Sequence, residues 1–258
     1  LRWNCRGIGG ASTVRDPTAL VQCHHPQFVF LCEPRQSAKK FSRLRSRLGL
    51  RGFCGIDSVG QSGGLALFWN DQLSVEIKEK KERFIDAHIR ASSTDPFWHL
   101  TCVYGEPRTE NRHRMWTILS DIRASSDLPW MLMGDFNEAM WQCEHLSVTP
   151  RPASQIAAFR EVVQDCELHD LGFAGAPFTY DNRRRGRANV KVRLDRALAD
   201  DQWRDIFSYA SVVHLVSPCS NHLPLLVHLQ KEEVLPPRQR PRQYEVFWER
   251  AGELPELI

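Results

Sequence analysis

The sequence predicts an α/β domain with strands in its interior and helices outside. Three observations predict it: a globular composition over 258 residues, several short unbroken apolar runs, and three longer stretches with apolar residues at helical spacing. Hydrophobic residues make up 42% of the chain and charged residues 25%, which excludes a disordered regulator or a collagen-like repeat. No apolar run approaches the roughly 18 residues of a membrane span, so no membrane role is expected. Leu1-Arg2-Trp3-Asn4 holds no signal-peptide core, and a start without Met reads as a fragment or processed product.

Taken in order, Phe28–Cys32 is a continuous apolar run, as a strand buried on both faces requires. The basic stretch Ala38–Leu48 places Phe41, Leu44 and Leu48 on one helical face. Leu65–Trp69, after Gly63-Gly64, is a second buried strand, and residues 84–89 alternate as a half-exposed one. Residues 97–104 form a strand closed by Gly105, 110–126 a helix carrying Met115, Trp116, Leu119 and Ile122, and 130–133 another buried strand. The last helix covers 154–166 with Ser154 as N-cap, and strands follow at 192–194, 212–216 and 223–229. Beyond Leu229 a proline-arginine connector, 235–242, leads into a short tail.

Eight cysteines are scattered without a CxxC pair, several inside apolar runs, and so read as small buried hydrophobes in a reducing compartment. The 34 basic and 31 acidic residues leave a net charge of only +3, but the distribution is uneven. Residues 35–51 hold seven basic side chains and no acid; residues 183–196 hold seven more against the single acid Asp195. Two such blocks suit a polyanion, or else are merely solvated faces.

Two acids follow buried strands. Glu33 comes directly after Phe28–Cys32, and Asp135 stands in Met133-Gly134-Asp135-Phe136-Asn137. A carboxylate at the end of a hydrophobic strand is costly unless paired or metal-bound. His222 opens the final apolar strand in Ser220-Asn221-His222-Leu223. Each alone is more often structural. Together, acids, an Asp-x-Asn and a terminal His point to hydrolysis at phosphorus, with acids for a hard cation and for water.

The ordered motifs Trp3-Asn4-Cys5-Arg6-Gly7, Leu31-Cys32-Glu33, Tyr104-Gly105, Gly134-Asp135-Phe136-Asn137, Arg193-Leu194-Asp195-Arg196 and Ser220-Asn221-His222 resemble the endonuclease/exonuclease/phosphatase superfamily. Within it, the chain most resembles the apurinic-endonuclease-like domain of plant LINE-type (non-LTR) retrotransposons, as does the segment Phe178-Thr179-Tyr180-Asp181-Asn182-Arg183. The resemblance implies a DNase-I-like, four-layered α/β sandwich: two packed, mostly antiparallel sheets flanked by helices. It covers residues 1–229; residues 230–258 are then a Pro/Arg-rich linker and tail leading toward a downstream reverse transcriptase.

By the same resemblance, Glu33 is the principal Mg²⁺ ligand (Mn²⁺ as substitute), with Asn4 and Asn221 on the metal side. Asp135 orients or deprotonates water, Asn137 and Tyr104 contact the phosphoryl group, and His222, oriented by Asp195, stabilises developing charge. Arg183, Arg184, Arg185, Arg187, Lys39, Lys40 and Arg43 are expected to contact double-stranded DNA through its backbone.

Three positions depart from the family pattern. Asn221 stands where the signature has Asp, removing a charge expected to support the metal or a protonated His222. Pro34-Arg35 stiffens the loop after Glu33, and only three residues precede Asn4 in the first strand. The expected function is therefore a Mg²⁺-dependent DNA endonuclease, nuclear if functional and otherwise cytoplasmic, that leaves a 3′-hydroxyl for reverse transcription. The alternatives are an impaired remnant that still binds nucleic acid, and a superfamily phosphatase acting on another phosphoester.

Overall fold

In a computed structural model of the chain, the described residues are 1–7, 11–36, 38–58, 63–216 and 220–230, without the side chains of 11–15, 38–40 and 42. The first half of the chain runs β1 (Arg2–Asn4), α1 (Ala11–His24), β2 (Phe28–Cys32), α2 (Ala38–Leu48), β3 (Gly52–Ile56), β4 (Leu65–Trp69), β5 (Ser74–Lys81), β6 (Phe84–Arg90), β7 (Trp98–Tyr104) and α3 (Arg112–Ala124). The second half runs β8 (Trp130–Asp135), β9 (His145–Leu146), α4 (Ala153–Asp165), β10 (His169–Asp170), β11 (Tyr180–Asp181), β12 (Lys191–Val192), β13 (Asp195–Ala199), α5 (Asp201–Ile206), β14 (Ser211–His214) and β15 (Leu225–His228). The expected connector and tail lie, from residue 231 onward, outside the described residues.

Two six-stranded sheets, ordered β14-β15-β1-β2-β4-β3 and β10-β13-β8-β7-β6-β5, pack face to face, and a small sheet β11-β12-β9 stands beside them. Each large sheet is antiparallel except for one pair: β1 with β2 in the first, β7 with β8 in the second. Side-chain alternation explains the unbroken apolar runs. Phe28, Phe30 and Cys32 face the second sheet's Leu100, Cys102, Met131 and Met133, while Val29 and Leu31 face Phe41, Leu44 and Leu48 of α2. On the far side Val103, Trp130 and Leu132 pack under α3 and α4. Both faces of the central strands are therefore dry, and burying each large side chain contributes about 1.5–3 kcal/mol. The result is the helix–sheet–sheet–helix sandwich expected of the chain.

Several expectations shift in detail. Helix α2 keeps its expected bounds, but α4 begins at Ala153 after Pro152, so Ser154 sits in the first turn and caps nothing. A single strand at 192–194 does not form. Thr179 Oγ1 accepts from the backbone N–H groups of both Leu194 and Asp195, at 3.0 Å each, and the chain there passes from the small sheet to the large one. The short first strand pairs on both sides, Arg2 with Leu225 and Trp3 with Leu31. Helix α1 and strands β3 and β5 carry no strong period in the sequence; β5 is an exposed edge rich in Lys and Glu. Cys5, Cys32, Cys54, Cys102 and Cys166 are buried, as small hydrophobes would be. Among the described residues no helix is long and apolar enough to cross a membrane.

Candidate active site

The two parallel pairs place four strand ends together. Asn4 ends β1 opposite Cys32, so Glu33 is the next residue beyond the partner strand; Tyr104 ends β7 opposite Asp135, which ends β8. Asp195 opens β13 across from Asp135, and His222 precedes β15 and bridges Tyr180. The acids expected from the sequence thus converge from both sheets at one end of the sandwich.

Glycine makes the approach of β7 and β8 feasible. A Cβ on Gly134 would lie 2.1 Å from the Val103 carbonyl oxygen, and one on Gly105 would lie 2.5 Å from that of Phe136. The Gly105 N–H donates to the Asp135 carbonyl at 2.6 Å. Asn137 then takes a left-handed φ of 55°, its N–H donating to Asp135 Oδ1 and its Nδ2 to the Gly105 carbonyl, both at 2.9 Å. Beneath this turn Glu138 is buried against Arg112 at 2.5 Å and Arg151 at 2.7 Å, and Arg151 also donates to the Asn137 carbonyl. Arg6 and Glu33 share the left-handed conformation, at φ 48° and 50°, so strain gathers around the cleft.

Hydrogen bonds link these groups. Asn4 Nδ2 donates to Glu33 Oε1 at 3.1 Å and to Asp135 Oδ2 at 2.9 Å, and the Tyr104 hydroxyl donates to Glu33 Oε1 at 2.8 Å. On Oε2, Arg35 lies at 3.1 Å and Arg6 at 3.9 Å. Burial alone would raise the Glu33 carboxyl, but donation from Asn4, Tyr104 and Arg35, with the charge of Arg6, holds it below its usual range. Burial, and then the Glu33 charge, pushes the Tyr104 phenol upward, so it stays a donor.

His222 Nδ1 lies 3.0 Å from Asp195 Oδ2 and 3.7 Å from Asp135 Oδ2. Burial pushes the imidazole down to about 4; Asp135 pulls the other way, and Arg2 and Arg6 add to the depression. At neutral pH the ring is therefore uncharged, with Nδ1–H donating to Asp195. The Ser220 hydroxyl fixes this loop, donating to the Asn4 carbonyl at 2.7 Å and accepting from the His222 N–H at 3.1 Å.

Asn221 sits apart from that pair. Its Oδ1 accepts from Arg6 at 3.1 Å, so position 221 meets a cation on the rim, where the sequence reading had it supporting His222 or a metal. Arg183 reaches the Ser220 carbonyl at 2.5 Å, while Arg184, Arg185 and Arg187 are exposed on the loop between β11 and β12. Arg43 is exposed on α2, and the side chains of Lys39 and Lys40 lie outside the described residues.

The second basic block divides, which corrects its reading as one face. Arg193 and Arg196 are buried and share Glu144 and Asp170, with Arg193 at 3.0 Å from Glu144 Oε1 and 2.7 Å from Asp170 Oδ1, and Arg196 at 2.8 Å from Asp170 Oδ2. Arg2, fully buried, ion-pairs Asp195 and donates to Cys32 Sγ at 3.2 Å. No role was foreseen for Arg2, Arg6 or Thr179. The signal for Arg2 was a charged residue beside the apolar Leu1 and Trp3; Arg6 and Thr179 stood inside the motifs at 3–7 and 178–183, which marked their place in the chain and not their task.

Asp135, Asp195 and His222 bring ligand atoms within 4.8 Å of one another, and Glu33 adds a fourth group beside Asn4. Hard oxygen donors of this kind fit a divalent cation, and the rim arginines show that Glu33 already draws positive charge.

Comparison with known proteins agrees with this geometry. The profile described as the Endonuclease/Exonuclease/phosphatase family matches residues 3–222. The endonuclease domain of TRAS1, a telomere-specific non-LTR retrotransposon, superposes with a TM-score of 0.64 at 16% identity, covering 90% of this chain and 98% of that one. An AP endonuclease from Archaeoglobus fulgidus gives 0.67 at 16% identity, over 88% and 97% of the two chains. The 3′ phosphatase NExo from Neisseria, bound to a product DNA hairpin, gives 0.65 at 15% identity, over 88% and 97%. No curated protein sequence matches the chain. At these identities the solved structures speak for the fold alone, whereas the profile spans nearly all of the sandwich and every motif that builds the cleft: the chain belongs to the endonuclease/exonuclease/phosphatase family.

Proposed function

We propose that the chain is a Mg²⁺-dependent DNA endonuclease of a plant LINE-type retrotransposon, acting in the nucleus beside a downstream reverse transcriptase. The observation that carries this reading is the convergence of Glu33, Asn4, Asp135, Tyr104 and the Asp195–His222 pair at one end of the sandwich. The exposed arginines 184, 185 and 187 and the likeness to the TRAS1 endonuclease domain support DNA as substrate.

Glu33 and Asn4 would hold Mg²⁺, which supplies charge to a non-bridging phosphate oxygen. Asp135, held by Asn4 and by the Asn137 N–H, accepts a proton from the attacking water. The water oxygen bonds to phosphorus as the P–O3′ bond breaks; the proton goes to the departing O3′, leaving a 3′-hydroxyl and a 5′-phosphate. Asn137 presents the second N–H of its amide to the pentacovalent phosphoryl group, and Tyr104 turns its single O–H from Glu33 toward it. His222, held in orientation by Asp195, lies beside them at the phosphoryl group, where charge develops.

Nicking of supercoiled plasmid by the purified chain, with Mg²⁺ and with EDTA, tests the reading, with Asp135→Ala run beside the parent. Mg²⁺-dependent nicking that vanishes in Asp135→Ala is expected. A parent that turns over a soluble phosphomonoester and leaves the plasmid supercoiled would replace the nuclease with a phosphatase.

A further inference from the structure

Arg6 is a charged residue of the cleft mouth that the scheme above leaves without a task, and unlike Arg35 it is not within hydrogen-bond distance of Glu33. Its left-handed φ of 48° turns the chain just past β1, and its side chain remains 40% exposed. Nη1 donates to Asn221 Oδ1 at 3.1 Å, Nε stands 3.9 Å from Glu33 Oε2, and the guanidinium carbon lies 6.0 Å from the centre of the Tyr180 ring. The cation thus spans the opening, from the Glu33 side to the loop before β15.

Each of these partners is weak. One is a neutral amide, one is beyond hydrogen-bond length, and the aromatic ring is at the limit of a cation–π contact. A guanidinium carries five donors in a planar fork that matches two oxygens of a carboxylate or phosphate, and among the described residues no such bidentate partner holds it. A phosphodiester entering between Glu33 and Tyr180 would offer that match, with charge-assisted bonds stronger than those it replaces. A divalent cation on Glu33 would also repel Arg6 from Oε2, and the accompanying phosphate is the nearest place for the guanidinium to go.

We propose that Arg6 is a substrate-binding residue that grips a non-bridging oxygen of the phosphodiester, exchanging Glu33 and Asn221 for it. The assignment rests on the nuclease reading and identifies which cation of the rim touches the reacting phosphate.

Fluorescence anisotropy of a labelled duplex oligonucleotide, titrated in EDTA over a salt series, tests it for the parent, Arg6→Ala, Arg6→Lys and Arg204→Ala. Arg204 lies on α5 beyond the opposite end of β13 and serves as a control for loss of a surface charge. In Arg6→Ala the affinity should fall about 10-fold, as for one charge-assisted bond, and the slope of log K against log salt should become shallower by about 0.9. Arg6→Lys should keep the slope and recover part of the affinity; Arg204→Ala should change neither. An unaltered slope in Arg6→Ala overturns the assignment, even where the parent nicks DNA and the nuclease reading stands. Absence of nicking by the parent alongside an Arg6-dependent slope overturns the nuclease reading and keeps Arg6 as a phosphate ligand. A parent that does not bind the duplex overturns both.

Discussion

Nδ2 of Asn4 lies 2.9 Å from Oδ2 of Asp135, and this single amide joins the ends of two sheets separated by 131 positions in sequence. The same nitrogen reaches Glu33 Oε1 at 3.1 Å, so one neutral donor keeps two buried carboxylates side by side. Asn4→Ala should leave both acids without their common partner. A destabilisation of about 1–3 kcal/mol is expected, read as a fall in melting temperature by calorimetry, with nicking reduced roughly 10–100-fold. A variant that melts and nicks like the parent would show that the amide is not the link.

Glu138 lies beneath the Asn137 turn with only 1% exposure, between Arg112 and Arg151. Glu138→Ala strands two guanidiniums, one of them buried, and breaking such a network typically costs about 3–5 kcal/mol. Urea denaturation should show that loss. Glu138→Gln keeps the shape and one acceptor and should cost less.

The divided basic block makes a paired prediction. Arg196→Ala, which opens the buried cluster with Glu144 and Asp170, should lower the urea midpoint markedly. Arg184→Ala, on the exposed loop, should leave the midpoint unchanged and reduce the salt slope of DNA binding by about 0.9. The opposite assignment of the two effects would contradict the geometry.

Acid should destabilise the fold with a definite sign. His222 titrates at about 4 in the folded chain against 6.5 when unperturbed, so above pH 6.5 it is neutral in both states and costs nothing. As pH falls from there, the unfolded chain takes up a proton that the native chain refuses, and stability declines by up to roughly 3 kcal/mol by pH 4. His214, also pushed down by burial, adds in the same direction. Glu33, held below its usual range, contributes stability that begins to be lost as pH falls through about 4.5 and goes on being lost below that. Melting curves between pH 8 and 4 should follow this course, and His222→Gln should flatten the upper part of it.

Asn221→Asp would restore the family's usual acid, and the sequence alone suggests a gain in activity from better support of metal and His222. The geometry predicts another effect. A carboxylate at 221 would pair with Arg6, an exposed contact worth up to about 1 kcal/mol, and hold it back from substrate. Duplex affinity in EDTA should drop a few-fold. An unchanged or tighter affinity would place residue 221 in some other role.

Much of the fold was legible because burial writes a local period. Phe28–Cys32 and Leu65–Trp69 are apolar at every position since both faces of their strands are covered, and Ala38–Leu48 is apolar on one face only. Gly134-Asp135-Phe136-Asn137 was legible as chemistry for a similar reason. A glycine that permits close strand approach, an acid, and an Asn able to take positive φ are all properties of the residues themselves. Helix α1 and the edge strand β5 were not readable, because a helix without clear periodicity and a strand facing water leave little apolar pattern.

The sequence by itself determined which stretches are buried, where the backbone turns, and which acids, amides and imidazole are available for phosphorus chemistry. Only the tertiary structure decided how the charges pair: Arg2 with Asp195, Arg193 and Arg196 with Glu144 and Asp170, and Arg6 at the rim between Glu33 and the amide of Asn221. The physical reason is range. Burial and backbone preference act within a few residues and mark the local sequence, whereas a buried charge takes whichever opposite charge the packing of distant strands brings within hydrogen-bond reach.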